Sequence, residues 1–175
     1  AASCQYGKDL TSLESLKDAI SNSIDAQATV MTLKPQILAL AQKAGAPPAD
    51  ARPEDKLGCS LLETEARALL VELPAQDGEL DPYKLAQDAA DATVAMCGPQ
   101  SDARMCSAAR LHANTLFARR SAAELSRIAA GDAAAPVDWD KTIAVTEALE
   151  EHIASKWAAA LSDESGDASA PGEGE

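Results

Sequence analysis

Alanine fills 39 of 175 positions, about 22% of the chain, against one Phe, two Tyr and two Trp. That imbalance restricts the fold more than any other feature. Alanine is the strongest helix former and buries little area. A core built from it needs helices that approach closely. The β-branched and aromatic residues that favour strands are sparse. The chain therefore reads as all-α, an elongated antiparallel bundle of four to five helices.

Caps and breakers place those helices. The first is expected from near Lys8, or from a capping box at Thr11 and Glu14, to Gly45. Leu13, Leu16, Ile20, Ile24, Met31 and Leu38 recur along it at helical spacing, and Pro35 should kink or split it. The stretch APPADARPEDKLG, residues 46–58, reads as an extended loop because it holds three prolines. A second helix is expected from Ser60, with Glu63 completing a capping box, to Leu73. A third begins at Asp81 with Pro82 in the first helical position and runs to Cys97.

Gly98 and Pro99 stop the third helix, and Ser101 or Asp102 caps the fourth, which runs to about Ala130. Ala108, Leu111, Thr115, Ala118, Ala122, Leu125 and Ala129 give that helix a heptad seam. A fifth helix is expected from about Val137 to Leu161. Trp139, Ile143, Thr146, Ile153, Trp157 and Leu161 share its inner face, with Glu147, Glu150 and Glu151 towards the other. The bundle domain thus covers residues 1–161. The remainder, SDESGDASAPGEGE at 162–175, is too polar to bury a core and reads as a disordered tail or spacer.

The net charge is −13. A phosphate backbone or an anionic lipid surface would repel such a chain, so no nucleic-acid partner is expected. No apolar run reaches the length of a membrane span, so direct membrane insertion is not expected either. The chain opens on AASC without Met, which reads as a processed N-terminus. No N-glycosylation sequon occurs, since Asn22 and Asn114 lack Ser or Thr two residues on.

The four cysteines are Cys4, Cys59, Cys97 and Cys106. An even count without metal-type spacing suggests two disulfides, and hence an oxidising compartment: extracellular, cell-surface, periplasmic or luminal. The stretch CGPQSDARMCSAARLH at 97–112 is the one place that resembles a reactive centre. Cys106 and His112 are six residues apart on a helix and face different ways. The second histidine, His152, lies far along the chain. Neither C-x-x-C nor H-x-x-x-H occurs, so no metal site or redox centre is expected. A clasp across the turn between two helices is the better reading.

Other chemistry finds no support in the residues. Phosphate-loop, dinucleotide and G-x-S-x-G motifs are absent. Leu149 and Ala109 occupy the positions three before the histidines, which excludes the E-x-x-H of di-iron bundles. Glu63/Glu65 and Glu150/Glu151 read as a solvated face. DGELD at 77–81 lacks the twelve-residue calcium-loop spacing. Arg104, Arg110, Arg119, Arg120 and Arg127 spread around the fourth helix and read as partners of acidic neighbours. No enzyme activity, catalytic residue or cofactor is expected.

Helix directions bear on the cysteine pairing. If residues 46–58 run back along the bundle, about thirteen extended residues reach roughly 40 Å. Cys59 then returns towards Cys4, while Cys97 and Cys106 fall at that same end. Cys4–Cys59 with Cys97–Cys106 becomes feasible, although four cysteines permit three connectivities.

An alanine-rich, acidic, disulfide-stapled helical bundle with a spacer-like tail resembles the surface coat proteins of African trypanosomes. The nearest type is the glutamic acid/alanine-rich protein of insect-stage cells, whose bundle is similar to the core of variant surface glycoproteins. Asp outnumbers Glu here, 15 to 13, a departure from that type. The resemblance implies a non-enzymatic cell-surface coat protein. It also implies a GPI anchor signal beyond Glu175, and neighbouring coat proteins as partners. The alternative is a secreted or luminal helical-bundle binding protein, either an extrinsic subunit or an enzyme inhibitor. Pectin methylesterase inhibitors carry a C-x8-C pair, but at their N-terminus.

Overall fold

The computed structural model describes residues 3–74 and 76–131, together with positions 144, 147, 148, 150, 151, 153–155 and 158. All regular structure among them is helical. The order is α1 (Tyr6–Ser21), α2 (Ala26–Ala44), α3 (Pro53–Glu72), α4 (Pro82–Ala95) and α5 (Ala103–Ala129). A sixth helical segment falls at the described positions between 144 and 158. The chain groups into two compact units, Ala1–Phe117 and Ala118–Glu175. Most of the expected fifth helix, including Trp139, Ile143, Thr146, Trp157 and Leu161, lies outside the described residues, as does the tail 162–175.

The first expected helix is two helices, and the break is not at Pro35. It falls at Asn22–Asp25, where short polar side chains compete for the backbone. Asp25 caps α2, its Oδ1 accepting the N–H groups of Gln27 (2.9 Å) and Ala28 (3.3 Å). Pro35 sits inside α2. It removes one backbone donor there without ending the helix. The restart at Asp25 also re-phases the apolar stripe. Leu13 and Leu16 are buried as expected, whereas Ile24, Met31 and Leu38 are exposed. Ile37, Leu40, Ala41 and Ala44 form the inward face of α2 instead.

The second helix starts seven residues before the expected Ser60. Pro53 occupies its first turn, followed by the acidic Glu54 and Asp55, which suit the positive helix end. Ser60, read as a cap, is an interior residue of α3 whose hydroxyl meets Thr93 of α4 at 2.7 Å. The proline-rich connection is therefore short, and it does not run back along the bundle. The α1–α2 hairpin makes the return. It brings Ala46 beside Cys4, whose N–H donates to the Ala46 carbonyl (3.2 Å). Cys4 and Cys59 are disulfide-bonded with Cα atoms 6.2 Å apart. The expected pairing holds, but by a different route.

In the first unit α3 packs against α1, α2 and α4. Its core joins Leu13 and Leu16 of α1, Ile37, Leu40 and Ala41 of α2, and Leu62, Ala66 and Leu70 of α3. Gly58 lets Tyr6 pack closely there: a Cβ would lie 2.7–2.9 Å from ring atoms of Tyr6 and would displace the ring. The α3–α4 contact uses small residues, with Ala86, Ala89 and Ala90 buried. Within it Thr64 Oγ1 lies 3.0 Å from Thr93 Oγ1, and both threonines are fully buried.

The turn from α4 to α5 follows expectation closely. Asp81 caps α4 through the N–H groups of Tyr83 (3.0 Å) and Lys84 (3.4 Å). Ser101 and Asp102 both act at the next turn: Ser101 Oγ accepts the Gly98 N–H (2.9 Å) and Asp102 Oδ1 accepts the Met105 N–H (2.9 Å). The Cys97–Cys106 disulfide closes it. That bond also fixes the rotation of α5, and the expected heptad seam is the wrong face. Cys106, Ala109 and Leu116 are buried, whereas Leu111 is 58% exposed and Ala122 and Ala129 are exposed. Leu116 packs with Ala86 and Ala90 of α4. In the second unit α5 ends before Gly131, whose φ of +66° suits a glycine.

Candidate functional site

The restart of α2 leaves Met31 and Leu38 outside the core, and they become walls of a groove. Val30, Met31, Lys34, Pro35, Leu38 and Gln42 line one side along α2. Arg67 and Leu70 of α3 form the floor, and Leu80, Pro82 and Leu85 close the far wall. The cavity is about 550 Å³, within the range of small-molecule sites.

Two contacts set the groove's direction. A Cβ on Gly45 would lie 3.1 Å from Glu63 Oε2, and Lys34 Nζ reaches the Pro74 carbonyl at 2.9 Å. Helices α2 and α3 are therefore antiparallel, and Arg67 lies level with the C-terminal part of α2, near Gln42. Lys34 is deeply set, its side chain 11% exposed, and Glu79 Oε2 accepts from its Nζ at 2.7 Å. Lys34 holds the Glu79 carboxyl below its ordinary value, helped by the Gln76 N–H. The connection between α3 and α4 is thus strapped onto α2 by one ammonium group. Arg67 is 14% exposed at its side chain, and its Nε donates to Glu63 Oε1 at 2.9 Å.

A second polar centre joins three helices. Glu65 of α3 lies 3.5 Å from Lys17 of α1 and 3.6 Å from His112 of α5. The neighbouring His112 imidazole lowers the Glu65 pKa most, burial opposes it, and Lys17 adds to the lowering. Burial, then the nearby Glu65, Asp102 and Glu14 charges, push the Tyr6 phenol upwards. A glutamate with a depressed folded pKa contributes stability above its unfolded value, near 4.3, and loses it as pH falls through the folded value. Glu65→Gln is accordingly expected to be less stable than the parent at pH 7. The difference should shrink towards pH 3, as read from urea midpoints at both values. A gap that widens on acidification would contradict this.

No family model, curated protein or solved structure matches this chain.

The structure separates the features that the sequence grouped. Both cysteine pairs are disulfides and no thiol is free, so thiolate chemistry would first need reduction. Cys97 and Cys106 bond to each other, and His112 lies 3.6 Å from Glu65. Glu63 and Glu65, two residues apart in the chain, face Arg67 and Lys17 respectively. In DGELD, Asp81 is a cap and Glu79 pairs with Lys34. Arg104, Arg110, Arg119, Arg120 and Arg127 are exposed on α5, as are Glu150 and Glu151 at their described positions. His152 lies outside the described residues. Among the described residues no three His, Cys, Asp or Glu side chains are placed to hold a metal ion, and no helix is long and apolar enough to cross a membrane. The groove itself is absent from the sequence reading. Its one local signal is the low polarity of Met31, Leu38 and Leu80 at positions that face water.

Proposed function

We propose that this protein is a non-enzymatic cell-surface protein, a coat component anchored through GPI in its precursor. The observation that carries the reading is covalent: Cys4–Cys59 and Cys97–Cys106 staple an alanine-lined helical unit and use every cysteine. Disulfides of this kind fit an oxidising compartment. The charge of −13 fits a crowded layer in which neighbours repel rather than aggregate. Expression of the precursor in the source cells tests it. Surface labelling of intact cells should mark the protein, and a phosphatidylinositol-specific phospholipase C should release it to the medium. Unlabelled protein retained inside the cells would overturn the proposal.

One observation favours a second reading, a secreted or luminal binding protein. The α2–α3–α4 groove presents apolar surface beside buried cations. Recovery from the untreated medium in a stoichiometric complex would favour that reading over the coat.

A further inference from the structure

The guanidinium of Arg67 is underused. Its side chain is only 14% exposed, and only its Nε is spent, on Glu63. Neither Nη group makes a hydrogen bond to another described residue, although a guanidinium offers five donors in a fixed fork. Lys34, the other cation on the groove, is satisfied by Glu79 and the Pro74 carbonyl. The groove therefore has one desolvated cation with donors to spare. It stands beside the Gln42 amide, at one end of an apolar track.

The length of that track is set by α2. Val30 to Gln42 spans twelve residues, roughly 18 Å at the helical rise. An extended hydrocarbon of about fourteen carbons, with bonds of about 1.5 Å in zigzag, is of that length. Leu70, Leu38 and Leu85 would flank its middle, and Met31 and Leu80 its far end. Met31 and Leu80 are 71% and 76% exposed, so a chain laid there would remove apolar surface from water at both walls.

We propose that this groove binds a free long-chain fatty acid, its carboxylate held bidentately by the Nη groups of Arg67 and its chain running along α2 towards Met31. The unused Nη donors decide the class of ligand, since the Arg67 charge is already partnered by Glu63 through Nε. A carboxylate matches the planar fork, whereas a neutral alcohol would leave it half satisfied. The site belongs to the first unit and is independent of where the protein is displayed.

The test is titration of the disulfide-intact protein with palmitate, hexadecanol and palmitoyl-lysophosphatidylcholine by calorimetry. Palmitate is expected to bind at one site, and hexadecanol at least about tenfold more weakly, the loss of one charged bidentate contact. Arg67→Met should weaken palmitate by a similar factor and hexadecanol much less, since the alcohol loses only a neutral hydrogen bond. Because that variant frees Glu63, Gln42→Glu provides an independent check at an exposed position. It should weaken palmitate by like-charge repulsion and spare hexadecanol. Leu80→Glu should abolish both. Absence of palmitate binding, equal affinity for palmitate and hexadecanol, or Arg67→Met and Gln42→Glu proteins that bind palmitate as the parent does would each overturn the proposal. Tighter binding of the lysophospholipid than of palmitate would also overturn it, assigning the groove to a membrane lipid.

Discussion

Replacing Cys4 and Cys59 together by alanine is expected to cost about 4 kcal/mol, against about 2.5 kcal/mol for Cys97 and Cys106. The difference comes from the loops that each bond closes. Cys4 and Cys59 are 55 residues apart in sequence, Cys97 and Cys106 only 9. The longer closure removes more freedom from the unfolded chain. Small domains carry about 5–15 kcal/mol in all, so losing the first bond removes a large fraction. Both sulfurs of that bond are also in the core, at 3% and 1% exposure, and alanine leaves space behind. Urea unfolding of the two double variants, each with its other bond intact, gives the ranking. Equal losses, or a larger loss for the α4–α5 clasp, would show that chain closure is not what these bonds contribute.

Asp9→Ala should cost about 2–3 kcal/mol for a different reason. Asp9 is 3% exposed at its side chain and its two oxygens are both engaged. Oδ2 accepts the Gln5 N–H at 2.7 Å, closing the first turn of α1. Oδ1 accepts Lys43 Nζ at 2.7 Å and so ties α1 to the end of α2. Removal leaves a part-buried ammonium group and an open helix end. Lys43 retains 27% exposure and can turn towards water, which holds the cost below that of a fully enclosed pair. The double variant Asp9→Ala/Lys43→Met should recover part of the loss, since no charge is then stranded. A loss below about 0.5 kcal/mol for Asp9→Ala would place this pair with ordinary surface bridges.

Much of the first unit was legible because its signals are local. Asp81-Pro82, Gly98-Pro99 and Asp102 are each sufficient to start or stop a helix within four residues, and the structure uses all of them. The break at Asn22–Asp25 was hidden because Ile20 and Ile24 keep the helical spacing across it. Periodicity counts an exposed isoleucine the same as a buried one. Ser60 and Glu63 carry a cap's spacing, yet Pro53, Glu54 and Asp55 carry a start signal seven residues earlier, and the earlier one wins. The seam on α5 failed for want of rotation. Two faces share the same spacing, and only the Cys97–Cys106 bond and the packing of Leu116 select one. The groove was beyond local reasoning altogether. Its residues come from three helices and a connection, and its opposed cations, Lys34 and Arg67, find their partners 45 and 4 residues away.

The hydroxyl contacts between α3 and α4 bear on how an alanine-rich pair of helices settles on one alignment. Alanine against alanine is nearly uniform along both axes, so α4 could slip by a turn along α3 and keep most of its contact area. Ser60 and Thr93 break that degeneracy. Their hydroxyls meet at 2.7 Å in one alignment only, and a slip would strand Ser60 without that partner. The pair functions as an index mark on an otherwise featureless track, contributing uniqueness more than depth to the folded state.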